Sequence, residues 1–158
     1  MEKKTKVNAE EGRHDLVVTR EFDLPLELLF KAHAEPEIIE QWMGTKVLKF
    51  EGKKHGGWQY ETKDPQGNVA FQANGVFHEF SPNEKITRTF EMVNAPWGVQ
   101  LEFLQFEKLT DDTSKLTMHI VYKSAADRDQ QLKMPFAYGI NIAHNRLQEI
   151  VSKLKQHA

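Results

Sequence analysis

Met134–Lys155 reads MPFAYGINIAHNRLQEIVSKLK, and the fold turns on how its apolar residues are spaced. Phe136, Gly139, Ile140, Ala143, Leu147, Ile150, Val151 and Leu154 follow one another at gaps of three, four and one. At about 100° per residue they share one helical face. Asn141, Asn145, Gln148, Ser152 and Lys155 fall elsewhere. Pro135 suits a first turn, where a missing N–H costs nothing. The spacing predicts a helix of about six turns with a wide apolar stripe. Gly139 and Ala143 on that stripe would let a sheet come close. Everything from Val47 to Tyr122 reads as strands and turns, so the helix is expected to lie across a sheet.

Upstream, Leu16 to Phe22 reads as a first strand. Asp23-Leu24-Pro25 looks like a helix start, with Asp23 as N-cap. Leu26, Leu29, Phe30 and His33 share a face of that helix. Glu35-Pro36 opens a second short helix with Ile38, Ile39 and Trp42 inward, ended by Gly44. Six strands are then expected. Trp58, Tyr60 and Thr62 alternate with Gln59 and Glu61, and Ile86, Arg88, Phe90 and Met92 alternate with Thr87, Thr89 and Glu91. Asp64 to Asn68 and Ser81 to Glu84 are turns by their chemistry. Val99, Leu101 and Phe103 give way to Leu104 and Phe106 on the opposite phase, which predicts a β-bulge or twist. Leu116, Met118, Ile120 and Tyr122 form the last apolar strand face. Ser124 to Gln131 is polar and reads as an exposed helical turn. Hairpin-length turns imply an antiparallel sheet. The fold class expected is α+β.

The chain has 158 residues, 39% hydrophobic and 28% charged, with a net charge of −2 and a pI near 6.4. That is one domain with a real core. It carries no global field to draw in nucleic acid or an anionic membrane. Cysteine is absent, which removes disulfides, thiolate catalysis and thiolate metal sites. The start, Met-Glu-Lys-Lys-Thr-Lys, is not a signal peptide. Residues 1–13 are polar and expected to be flexible, and 14–158 to form a single domain.

Several elements together resemble a known family. They are Thr19-Arg20-Glu21-Phe22-Asp23-Leu24-Pro25 with Leu29-Phe30, Glu35-Pro36 and Trp42 before Gly44. Gly56-Gly57-Trp58 follows, then Gly75-Val76-Phe77 with Glu79 and Pro82, and Gly139 and Leu147 in the last helix. In this order and spacing the chain is similar to the START-like (SRPBCC) superfamily, in the branch of the activator of the heat-shock protein 90 ATPase. The resemblance spans roughly Leu16 to Leu154. It implies a helix-grip fold, a curved antiparallel sheet wrapped around the C-terminal helix. It also implies a cytoplasmic, stress-response setting and a chaperone as one kind of partner. Two positions depart from the family's habit. Glu51 and Lys53-Lys54-His55 stand where an Asp and an Arg often precede Gly-Gly, and Met43 stands where a second aromatic often follows Trp42.

Large apolar residues are plentiful: Trp42, Trp58, Tyr60, Phe71, Phe77, Phe90, Phe103, Met118 and Phe136. They either fill the core or line a cavity between sheet and helix that takes an apolar or aromatic small molecule. The set expected to line it is Trp42, Trp58, Tyr60, Phe77, Arg88, Phe90, Met118, Phe136 and Ile140. Arg88 shares a face with Phe90 and could meet a ligand carboxylate, or simply cover apolar surface with its stem. Glu102, His119 and His144 are further polar candidates. His119 should face away from the helix, and His144 sits at the margin of its stripe. None of the seven histidines has metal-ligand spacing, there is no Gly-x-Ser-x-Gly elbow, and Gly52 to Gly57 reads as a hairpin turn bearing an exposed basic knob. No metal, cofactor or catalytic residue is expected. A binding module and a chaperone-associated interaction protein are the two readings left open, with a cyclase- or hydrolase-type enzyme third.

Overall fold

Period-two alternation builds the strands of this chain, and they all pair antiparallel. The computed structural model describes residues 3–156. In chain order the elements are β1 (Lys6–Asn8), β2 (Asp15–Phe22), α1 (Leu26–Ala34), α2 (Pro36–Met43), β3 (Lys46–Phe50) and β4 (Gly57–Lys63). Then come β5 (Val69–Ser81), β6 (Lys85–Met92), β7 (Val99–Lys108), β8 (Ser114–Val121), α3 (Ala125–Lys133) and α4 (Phe136–Gln156). The strands form one 8-stranded sheet in the order β1-β2-β8-β7-β6-β5-β4-β3. Hairpins join β3 through β8 in sequence. β2 instead docks on β8, so α1 and α2 must cross from one side of the sheet to the other. The sheet curves around α4, which is the helix-grip fold expected.

α2 ends as its sequence implies. Gly44 takes the left-handed conformation at φ 64°, which costs glycine nothing. α1 begins two residues later than expected, with Pro25 rather than Asp23 at the N-cap and no side-chain cap. Asp23 is drawn away instead: it pairs with Lys3 at 2.8 Å, and its backbone N–H donates to Gln148 Oε1.

Four expectations need correction. The segment read as flexible contains β1, which pairs residue by residue with β2. Thr5 N–H donates to Asn141 Oδ1 at 2.9 Å, and the buried Arg128 donates to the carbonyls of Glu10 and Asp15. Three residues carry no readable period, and long-range hydrogen bonds hold them. Residues 1 and 2 lie outside the described residues.

β7 has no bulge: its register with β6 and β8 is unbroken. Its inward face is Gln100, Glu102, Leu104 and Phe106, while Val99 and Phe103 are exposed on the other side. The apolar alternation there belongs to the outer face.

α3 is not simply an exposed turn. Ser124 caps it by accepting from the Asp127 N–H, and Arg128 and Gln131 are buried. Finally, α4 is pressed into the core through His144, Leu147 and Val151. Gly139 has nothing within 4 Å of where a Cβ would sit, and Leu154 is exposed. Periodicity finds a helix face but not whether a surface lies opposite it. Here the first half of α4 stands off the sheet.

Candidate functional site

The standing-off creates a cavity of about 480 Å³ between the inner sheet face and the first half of α4. Its sheet wall follows from strand phase. β6 turns Arg88, Phe90 and Met92 inward, β8 supplies Met118 and Ile120, and β4 supplies Tyr60. Phe136, Gly139, Ile140 and Ala143 of α4 form the opposite side, with Trp42 and Met43 of α2 beside them. Of the expected lining residues, Trp42, Tyr60, Arg88, Phe90, Met118, Phe136 and Ile140 are at this wall.

Trp58 and Phe77 are not. Trp58 is fully buried behind the wall, its ring 4.6 Å from Tyr60 and 5.1 Å from Phe90. Phe77 sits beside Phe50 and Phe80, at 5.3 and 5.1 Å. The register shift between Phe77 and Glu79 lets Phe77 and Phe80 pack together despite their odd spacing. Phe80 in turn meets Phe30 of α1, so this cluster fills the core under α1.

The polar part of the wall is built across one strand pair. Arg88 and Glu102 are directly opposite in register. Arg88 Nε donates to Glu102 Oε1 at 2.9 Å, and both side chains are buried. The guanidinium lies over Trp58 and Phe90 at 5.4 and 5.6 Å, a cation–π arrangement. Burial works against the charge on Arg88, but Glu102 and Tyr60 outweigh it and raise its pKa above the ordinary value. Gln100 Nε2 donates to the other oxygen of Glu102 at 2.7 Å. Both carboxylate oxygens are therefore engaged.

Sequence reasoning left out His33, Trp97, Gln100 and Gln131, all at the wall. Trp97 lies in the β6–β7 connection, where no period exists to read. Gln100 was hidden by the apolar phase of its neighbours. Tyr122 donates to Gln131 Oε1 behind the wall. His33 Nδ1 lies 3.0 Å from the carbonyl oxygen of Leu29, and His144 Nδ1 lies 2.7 Å from Thr5 Oγ1. Burial pushes both histidines down: His33 to about 4, with the charge of Arg88 adding to the effect, and His144 to about 3, with His33 and Arg20 adding. His144 is thus a core residue rather than a marginal one. His119 points to the far side of the sheet, against Asp15 at 2.7 Å and the Phe103 ring. Lys53 and Lys54 are exposed in the β3–β4 turn, away from the cavity. Among the described residues no three histidines or carboxylates are grouped to hold a metal ion, and no helix is long and apolar enough to cross a membrane.

A family model described as "Activator of Hsp90 ATPase homolog 1-like protein" matches residues 23–152. Among curated proteins, none matches the chain significantly. Solved structures do. A crystal structure of a Mycobacterium smegmatis protein superposes with a TM-score of 0.82 at 19% identity, covering 93% of this chain and 96% of that one. A Rhodobacter sphaeroides protein gives 0.82 at 19%, covering 94% and 99%. The solution structure of an Arthrobacter aurescens protein gives 0.83 at 15%, covering 94% and 91%. At these identities the likeness establishes the fold alone.

Proposed function

The chain belongs to the Activator of Hsp90 ATPase homolog 1-like family, and from that premise we propose that it is a cytoplasmic binding protein whose cavity takes an apolar or aromatic small molecule. One observation carries this reading: a cavity of about 480 Å³ is left open in a wall of large apolar side chains. Native interiors close-pack by default, so a space this large is not a packing remnant. It lies within the range of about 300–1,000 Å³ common to small-molecule sites. The engagement of both Glu102 oxygens speaks against a carboxylate poised as a general base, and so against the enzymatic reading.

The test is to fill the space. Ile140→Trp places a large ring where the wall is half-open. It should keep the melting temperature within a few degrees while weakening binding of an environment-sensitive apolar dye about tenfold or more. Unchanged dye affinity in a folded variant would sink the proposal. The family description points to a second reading, docking on a chaperone. In that case Lys53→Glu with Lys54→Glu should matter and Ile140→Trp should not.

A further inference from the structure

The hydrogen-bonding groups of the cavity wall are of unequal kinds. Arg88 and Glu102 satisfy one another, so the strongest charges at the wall sum to zero. Gln100 has its amide N–H₂ on the Glu102 carboxylate, which accepts only; its Oε1 has no partner but is covered by protein atoms, out of a ligand's reach. His33 is buried and lines the cavity. Its Nδ1 must carry the proton, because its partner there is the carbonyl oxygen of Leu29. Nε2 is then the acceptor nitrogen of a ring that lines the cavity. Trp97 is also at the wall, but its Nε1–H, though without a partner, is covered by protein atoms. His33 is held to about 4, so the ring is neutral at ordinary pH.

We infer that the cavity selects a neutral, mainly apolar molecule carrying a hydroxyl or N–H donor for His33 Nε2, and discriminates against carboxylates. The inference rests on the cavity reading above. A hydroxyl suits this wall because it can donate to the acceptor nitrogen of His33. A carboxylate has nothing to offer a bare acceptor, and the one cation at the wall already holds Glu102. An ether or plain hydrocarbon leaves the imidazole nitrogen unpaired once water is displaced, which costs affinity.

Four rigid probes separate the outcomes: naphthalene, 2-methoxynaphthalene, 2-naphthol and 2-naphthoate, titrated by calorimetry at pH 7. 2-Naphthol should bind about tenfold tighter than 2-methoxynaphthalene or 2-naphthoate. His33→Phe keeps the aromatic bulk and removes the acceptor. It should retain naphthalene binding and bring the naphthol-to-methoxynaphthalene ratio to about one. Equal binding of naphthol and methoxynaphthalene by the unaltered protein would overturn the inference and leave the cavity reading standing. Tightest binding of naphthoate would overturn it too, by showing that Arg88 leaves Glu102 for a ligand. If no probe binds, the cavity reading fails and takes this inference with it. The ranking in the unaltered protein decides the matter even if His33→Phe does not fold.

Discussion

Lowering the pH from 7 to 5 should weaken this fold sharply, because two histidines are buried neutral. In the unfolded chain each titrates near its ordinary value of 6.5; in the fold burial, first of all, holds His33 to about 4 and His144 to about 3. A folded pKa below the unfolded one means the unfolded chain binds more protons as pH falls. Stability is therefore fully present above about 6.5 and is lost on the way down. At pH 5 the unfolded histidine is almost fully protonated and the folded one is not. Each site then costs about 2 kcal/mol relative to pH 7, and the pair about 4 kcal/mol. The loss should continue to about pH 4 for His33 and about pH 3 for His144. The charges facing them add to it: Arg88 faces His33, and Arg20 faces His144. Asp15, Glu51 and Glu79 have lowered pKa values through their hydrogen-bonded partners, so they contribute mainly below pH 5. Urea unfolding at the two pH values is the assay. With a slope of about 2 kcal/mol per molar urea, the midpoint should drop by about 2 M. His144→Gln should lose about half of that pH dependence, whatever its stability at pH 7. A midpoint that is level between pH 7 and 5 would refute the reasoning, since it would mean both rings reach water or a counter-charge.

Other outcomes follow from particular contacts. Arg88→Met should cost about 3–5 kcal/mol by leaving Glu102 buried and unpaired, and Arg88→Met with Glu102→Leu should regain most of it; chemical denaturation of the single and double variants checks this. Gly75→Ala should lower stability by about 3 kcal/mol or more, because a Cβ there would lie 1.9 Å from the backbone oxygen of Thr89. Gly139→Ala meets nothing within 4 Å and should gain about 0.5–1 kcal/mol as a helix substitution; thermal melts of these two variants should move in opposite directions.

The strand and helix order was legible because most of the chain obeys its periods. The α4 stripe, the two short helices and the inward phase of Arg88 and Phe90 all follow from alternation or helical spacing. The glycines before Trp58 and Phe77 have a local reason as well. A Cβ on Gly56 would lie 2.1 Å from the Glu51 oxygen, and Gly75 is closed in by Thr89 and the Trp58 ring. What failed to show was polarity inside the fold. Gln100 and Glu102 face inward while Val99 and Phe103 face outward, so a reading that sends apolar residues inside inverts the first half of β7. Arg128 was hidden likewise: besides its neighbour Asp129, it donates to backbone carbonyls over 100 residues away. His33 shared the readable face of α1, but only the Leu29 carbonyl settles which nitrogen is bare. Trp58 shares its readable strand face with Tyr60, yet only Tyr60 is at the wall; a face alone does not say where along it the helix lifts away.

Whether the cavity takes an apolar ligand is tested most directly by titrating isotope-labelled protein with 2-naphthol and following chemical shifts. The methyl groups of Met92, Met118 and Ile140 and the indole N–H of Trp97, all at the wall, should move together and saturate with one dissociation constant. The amides of Lys53 and Lys54, in the turn away from the cavity, should stay in place. Shifts at that turn with none at Met118 and Ile140, or no saturable shift anywhere, would contradict the account.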